Sequence, residues 1–149
     1  MNVYLFPALK MTPGLIESAF DRLPESAWDS PTAPDRFSPR EILAHLADWE
    51  PIMQARMVQC AESPGTILVP YDEAQMAIDN GYSHWDPKQS LAKYKQARTA
   101  TVTWLEALEP DEWRLSAVHP ERGELSIYDQ ANLLVCHDVY HIEQLSHRG

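Results

Sequence analysis

SPREILAHLADWEPIMQARMVQC, residues 38–60, carries the clearest helix signal in the chain. Ser38 predicts the N-cap, Pro39 the first helical position, and Glu41 the residue that completes a capping box. The helix should continue through Pro51 with a kink there, because the apolar pattern continues beyond the proline. That pattern repeats at intervals of three and four residues, as on one helix face, and consists of Ile42, Leu46, Trp49, Met53, Met57 and Cys60.

Two more helices are predicted downstream, each with its own start signal. Asp86 and Pro87 open an amphipathic segment that ends before Pro110. Near the C-terminus, Ser126 has Asp129 three residues on, and a helical apolar pattern follows. These two segments become the third and fourth predicted helices.

The first predicted helix has less distinct limits. GLIESAFDRL, residues 14–23, is amphipathic, and Thr12 or Pro13 could start it. Pro24 follows its end. Whether residues 3–11 extend this helix is left open by the pattern.

The connections indicate how the four helices are arranged. No segment shows the strand-like alternation of a sheet, so the expected fold class is all-α, a four-helix bundle in a single domain over residues 1–149. Residues 61–85 are too many for a tight helix hairpin. They predict a long crossover between the second and third helices, which would then run parallel, with the second and fourth helices antiparallel.

Composition narrows the possible partners. The net charge of −10 and the lack of a Lys/Arg cluster speak against nucleic-acid binding. No apolar run approaches the length of a membrane span, and the N-terminal segment has neither the basic leader nor the cleavage site of a signal peptide. We therefore expect a cytoplasmic protein without a membrane partner. Cys60 and Cys136 lie in helical patterns and are expected to be free thiols.

Three histidines are candidate metal ligands. His137 and His141 are four residues apart, so on a helix both imidazoles point the same way. His45 lies on the second helix, about 10 Å along the axis from its N-cap, and the other two lie about 12 Å from the far end of the fourth helix. In antiparallel helices that start and finish together, these heights coincide, so the topology and the histidine positions support each other.

Three neutral imidazoles from two helices would form a facial site for a divalent transition metal such as zinc, nickel, iron or manganese. Three protein ligands leave positions for water or substrate, as in catalytic rather than structural sites. A metal there could lower the pKa of bound water or of a bound thiol and polarise a carbonyl. The nearest candidates in sequence to orient the imidazoles are Asp48, Glu50, Asp138 and Gln144.

The other histidines are expected to be solvated. His84 and His119 are assigned to loops and His147 to the C-terminal end. His119 has a second possible role, because its loop precedes the fourth helix and could reach the metal. Cys136 is expected to be a buried small apolar residue, since it points about 100° away from His137 on the helix.

Three further side chains have two open interpretations each. Trp49 fits core or dimer packing, although it could also line a substrate cleft. Arg56 and Arg98 are expected to form ion pairs, with binding of an anionic substrate as the alternative.

Three segments resemble the DinB/YfiT-like superfamily of four-helix-bundle metalloproteins: AHLADWE (residues 44–50), HPERGELS (119–126) and HDVYHIEQ (137–144). The resemblance covers essentially the whole chain. It implies an up-down-down-up topology, which agrees with the predicted crossover, and frequent homodimers. It carries no implication of DNA binding.

The family's histidine triad maps onto His45, His137 and His141. Members with known chemistry include S-transferases that use low-molecular-weight thiols and a thiol-dependent isomerase, so the resemblance implies a small-molecule substrate and a possible thiol cosubstrate. The leading hypothesis is a metal-dependent enzyme that activates a thiol or water for attack on a small electrophile. A metal-dependent hydrolase and a non-catalytic, metal- or ligand-binding dimeric bundle are the alternatives, and no general base can be assigned from the sequence.

Overall fold

The computed structural model describes residues 1–147, which form five α-helices and a small antiparallel sheet. Helices α1, α2, α4 and α5 make up a four-helix bundle, as predicted. The short helix α3 lies in the crossover between α2 and α4. The elements are α1 (Leu5–Asp21), α2 (Pro39–Glu62), α3 (Glu73–Asp79), α4 (Pro87–Glu106), β1 (Ser116–His119), β2 (Gly123–Ser126) and α5 (Ile127–Ser146).

The predicted caps are present at the starts of α2 and α5. The Ser38 side chain accepts a hydrogen bond from the Glu41 backbone N–H, and the Glu41 carboxylate accepts one from the Ser38 N–H at 2.8 Å. Ser126 and Asp129 form the same capping box. Pro51 lies inside α2, which continues for eleven residues beyond it to Glu62.

Helix α1 extends further toward the N-terminus than the amphipathic segment 14–23. It begins at Leu5, so most of residues 3–11 belong to it, and Pro13 lies in its interior. Leu5, Leu9 and Ile16 are buried on one face. A proline costs one backbone hydrogen bond within a helix, and burial of this apolar face offsets the loss.

Side-chain contacts fix the direction of each helix. Glu50 and Gln54 of α2 meet Arg98 and Thr101 of α4 in the same order, so these two helices are parallel.

The other contacts complete the topology. Thr12 of α1 bonds Asp138 of α5, and Asn2, which precedes α1, bonds Tyr128 near the start of α5; α1 and α5 are therefore parallel. Gln130 in the first turns of α5 contacts Cys60 near the end of α2, so α2 and α5 are antiparallel. The result is the up-down-down-up arrangement that the resemblance implied.

A buried polar layer divides the core into two apolar clusters. One cluster includes Leu9, Met57 and Leu105, and the other includes Ile16, Leu43 and Tyr94. Between them lie four buried polar side chains contributed by the four bundle helices: Thr12, Glu50, Arg98 and Asp138. The histidines of interest lie beside this layer, on α2 and α5.

The hairpin corrects the expectation that the chain has no strands. Strands β1 and β2 pair antiparallel from Ser116↔Ser126 to His119↔Gly123. Neither strand, SAVH nor GELS, alternates strictly between apolar and polar residues, so the sequence carried no strand pattern. Gly123 has φ +80°, a conformation that glycine adopts without steric cost, and it closes the turn.

The crossover packs against this hairpin. Ile67 forms a parallel bridge with Val118, and the Leu68 backbone N–H donates to the Val118 carbonyl at 2.8 Å. Asp72 then caps α3 by accepting from the Gln75 N–H. None of the helices within residues 1–147 has the length and apolar character needed to cross a bilayer.

Candidate metal centre

The structure brings His45, His137 and His141 together, as the sequence predicted. The Nε2 atom of His137 lies 3.0 Å from Nε2 of His45 and 3.1 Å from Nε2 of His141. His45 and His141 are buried, and His137 is partly buried. The potential ligand atoms of the three residues all lie within 4.8 Å of one another.

Burial keeps these imidazoles neutral. Desolvation lowers the pKa of His141 to about 3 and that of His137 to about 4, and it holds the pKa of His45 well below its ordinary value. Charge repulsion from His137 lowers the pKa values of His45 and His141 further. The neutral imidazole is the form that binds metal ions, so the site presents nitrogen lone pairs at neutral pH.

Gln144 sets the tautomer of one imidazole. Nδ1 of His141 lies 2.8 Å from the Gln144 side-chain oxygen, which can only accept a hydrogen bond. The proton of neutral His141 is therefore on Nδ1, and Nε2 presents its lone pair to the other two histidines. The Gln144 amide nitrogen donates to the Tyr140 hydroxyl at 3.3 Å, which holds the amide in this orientation.

The three imidazole nitrogens fit a bound divalent transition metal better than they fit a set of imidazoles that hydrogen-bond one another. A proton on His137 Nε2 would lie between two neighbouring nitrogens and could form a well-aligned hydrogen bond with only one of them. A metal would accept all three lone pairs. Zinc–nitrogen bonds of 2.0–2.1 Å in a tetrahedral site place the nitrogens roughly 3.3 Å apart, close to the two Nε2 distances observed.

The four residues considered as orienting partners have different roles. Only Gln144 bonds an imidazole of the triad within residues 1–147. Asp48 instead accepts from Tyr82 and from Asn80. The other two, Glu50 and Asp138, both bind Arg98.

Removing the Gln144 contact should weaken metal binding without removing a ligand. Loss of such an outer hydrogen bond typically costs 10- to 100-fold in metal affinity, so we expect Gln144→Leu to raise the zinc dissociation constant by about that factor. Competition with a chromophoric chelator measures it. Glu143→Leu is the matched control, because Glu143 is the exposed neighbour of Gln144 on α5 and its side chain bonds only His147 among residues 1–147. Equal affinities in the two variants would show that Gln144 does not orient His141.

A carboxylate that the sequence analysis missed lies beside the triad. Glu73, in the first turn of α3, has a carboxylate oxygen 3.9 Å from Nε2 of His45, and its side chain is 42% exposed. Because His45 is neutral, this contact is not an ion pair. Burial raises the pKa of Glu73, and Arg122 and Arg56 oppose the shift. No sequence signal placed this crossover residue near helix α2.

Two cavities flank the triad. One, of about 270 Å³, lies between α2, α5 and the hairpin loop and includes Trp49 and Arg122. The other, of about 310 Å³, lies beneath the loop that contains Arg36 and includes His141 and Gln144. Their lining residues overlap at Glu73, His137 and Tyr140. The candidate metal centre is therefore accessible from two sides.

Two predictions about single residues are wrong. His119 is 6% exposed rather than solvated, because β1 directs it inward and its Nδ1 accepts from the Glu121 backbone N–H at 3.1 Å. Cys136 is exposed, not buried, and lines the cavity that includes Trp49. Cys60 is a buried free thiol and His84 is exposed, as expected.

Comparison with known proteins identifies relatives over almost the whole chain. The DinB superfamily model matches residues 8–145. A Bacillus licheniformis protein named "Putative metal-dependent hydrolase" is 26% identical over 144 residues, which cover 94% of this chain and 81% of that protein. YfiT of Bacillus subtilis, which carries the same description, is 23% identical over 93% of this chain and 78% of its own length.

Solved structures share the fold. YfiT, described as "a probable metal-dependent hydrolase with an unusual four-helix bundle topology", superposes with a TM-score of 0.89 at 21% identity, over 95% of this chain and 82% of that one. The mycothiol-dependent maleylpyruvate isomerase superposes with a TM-score of 0.76 at 9% identity, and the likeness spans 59% of its chain. Sequence match, topology and fold agree, and the chain belongs to the DinB superfamily.

Proposed function

We propose that His45, His137 and His141 hold a divalent transition metal, and that the protein is a metal-dependent enzyme acting on a small molecule. The observation that carries this proposal is the convergence of three neutral Nε2 atoms between two cavities. Zinc, nickel, iron and manganese all suit imidazole donors. When bound, the metal would lower the pKa of a thiol or water and polarise a carbonyl.

Thiol transfer is the first candidate activity. A transfer between a low-molecular-weight thiol and an electrophile needs space for two reactants, and the two cavities meet at His137 and Tyr140. The thiol-dependent isomerase with the same fold adds support. In this proposal the histidines hold the metal, Gln144 orients His141, and the side chains of the two cavities position the thiol and the electrophile.

Hydrolysis is the second candidate activity, supported by the names of the two Bacillus relatives. Glu73 is the specific feature that favours it, because its carboxylate lies 3.9 Å from His45 Nε2 at a position from which it could take a proton from an attacking water. Under this second proposal Glu73 is the general base, which could not be assigned from the sequence. A non-catalytic binding role is the third possibility. Cytoplasmic location and homodimerisation stay predictions.

Cobalt substitution tests whether the metal centre binds a thiolate, as thiol transfer requires. The protein is purified without a metal-affinity tag, stripped of metal and loaded with Co²⁺, and 2-mercaptoethanol is added while near-ultraviolet absorbance is recorded. We expect a thiolate-to-cobalt charge-transfer band that saturates with the thiol. The thioether 2-(methylthio)ethanol is the matched control, because it cannot form a thiolate, and it should give no band.

Each other outcome rejects one part of the proposal. A protein that takes up one equivalent of cobalt but gives no band with 2-mercaptoethanol, cysteine or glutathione is not a thiol transferase, and ester and amide substrates would then test hydrolysis. A protein that binds neither cobalt nor zinc does not have the proposed metal centre.

A further inference from the structure

An arginine without a bonding partner borders the cavity beside the candidate metal centre. Arg122 lies in the turn of the β1–β2 hairpin and lines the cavity of about 270 Å³ together with His137 and Trp49. Its guanidinium makes no hydrogen bond or ion pair within the described part of the chain, residues 1–147. One exposed arginine is weak evidence for a binding site, but a second arginine, Arg56, lies close enough to interact with it electrostatically.

Arg56 is a buried cation that lacks a carboxylate. It is 8% exposed, and its guanidinium carbon lies 5.1 Å from the Trp49 ring centroid and 5.4 Å from that of Tyr71. Nη2 donates to the Val69 carbonyl at 2.7 Å, while Nε is buried without a partner. The ion pair expected for Arg56 from the sequence is not formed among residues 1–147. Arg98, by contrast, does form ion pairs.

Charged side chains of both signs lie at this cavity, but its arginines are not paired. Glu73 is the one carboxylate among its lining residues. Arg56 and Arg122 both act on Glu73 electrostatically, and they repel each other. Asp72 also acts on Glu73. Neither guanidinium forms an ion pair within residues 1–147, however, and Nε of the buried Arg56 has no hydrogen-bond partner there. Buried cations are normally paired, so this arrangement favours an anionic occupant.

The remaining walls of the cavity are mostly apolar, and Trp49, Met53, Leu133 and Leu134 supply them. A suitable occupant therefore has an apolar body as well as a charged group.

We propose that this cavity binds a small substrate with an apolar body and an anionic oxygen-rich group, a carboxylate, sulfonate or phosphate, which Arg122 contacts directly. Arg56, held behind the Trp49 indole, contributes positive charge and fixes that ring in place. The assignment of this ligand as substrate rests on the proposed function, because the cavity opens onto His137. Guanidinium groups suit such anions because their planar N–H groups match two oxygens at once.

A matched ligand pair tests the charge preference. The probes are 2-phenylethanesulfonate and the neutral methyl 2-phenylethyl sulfone, which share the phenylethyl body. Protein-detected NMR titrations give both dissociation constants and locate the site. They are run on the metal-free and on the zinc-loaded protein, since sulfonates are weak metal ligands and Arg122 does not need the metal. We expect the sulfonate to bind about tenfold more tightly than the sulfone in both forms, with shifts at the Trp49 indole.

Variants then assign the preference to Arg122. Arg122→Gln should remove most of the tenfold preference and leave the affinity for the sulfone unchanged, whereas Arg122→Lys should keep part of it. Arg22→Gln is the matched control, because Arg22 is an exposed arginine at the end of α1 and lies outside the cavity. It should change neither dissociation constant.

Three results would overturn the inference: equal affinities for the two probes in the wild-type protein, chemical shifts that change away from the cavity, or an Arg122→Gln variant that retains the full preference. Zinc content is measured on the same samples. A protein that binds zinc but shows no charge preference refutes the anion subsite alone, whereas a preference in a protein that cannot bind zinc refutes the metal centre alone.

Discussion

Replacing His137 with alanine should abolish stoichiometric zinc binding and leave the helical fold intact. His137 is the central member of the triad, with Nε2 at 3.0 and 3.1 Å from the other two Nε2 atoms. Its loss leaves two imidazoles on different helices, so the affinity should fall by more than the 10- to 100-fold expected for an outer hydrogen bond. Elemental analysis should find about one zinc in the wild type and none in the variant after gel filtration.

Thermal unfolding gives an independent measure of the loss of zinc binding in His137→Ala. Zinc at a thousand times its dissociation constant should stabilise the wild type by about 4 kcal/mol, and it should not stabilise His137→Ala. The metal-free proteins should differ by no more than about 2 kcal/mol, as is usual for single substitutions outside a tightly packed core. His147→Ala, an exposed histidine after the end of α5, is the control and should bind zinc normally. Zinc-dependent stabilisation that persists in His137→Ala would show that the metal binds elsewhere.

The position of the triad could be predicted because it depends on local sequence signals. The capping boxes of Ser38 and Ser126 fix where α2 and α5 begin, and the rise per residue then gives the height of every side chain on each helix. The long crossover predicted that α2 and α5 run antiparallel. These signals were sufficient to place His45 level with His137 and His141.

The rest of the site depends on contacts between segments distant in sequence. Glu73 reaches the triad because the crossover pairs Ile67 with Val118 of the hairpin, and four-residue strands leave no readable pattern. The same hairpin buries His119 and directs Arg122 to the cavity. Short irregular segments follow the surfaces against which they pack, so their paths could not be derived from propensity.

For Arg98, helical periodicity predicted only part of the arrangement. An ion pair was predicted, but periodicity could not show that Glu50 and Asp138, from two different helices, would both bind the same guanidinium. That double pairing makes Arg98 the residue whose replacement should cost the most stability.

Arg98→Met should destabilise the protein by about 3–5 kcal/mol, the usual cost of removing one partner from a buried ion pair. Arg98 donates to both carboxylate oxygens of Glu50, at 2.6 and 2.9 Å, and to Asp138 at 2.7 Å. Burial is the largest single effect and lowers the pKa of Arg98, but the hydrogen bonds and charge of Glu50, together with Tyr94 and Asp138, raise it overall. The methionine side chain fills a similar volume without the charge, so the variant tests the ion pairs rather than packing.

Lys95→Met is the matched control on the same helix. Lys95 pairs with Glu17 at 2.7 Å, and both side chains are partly exposed, so its loss should cost less than about 1 kcal/mol. Denaturant unfolding of the metal-free proteins gives both values. Because native domains are stable by only about 5–15 kcal/mol, Arg98→Met should lose a large part of the total. Similar losses in the two variants would show that the buried network contributes no more than a surface pair.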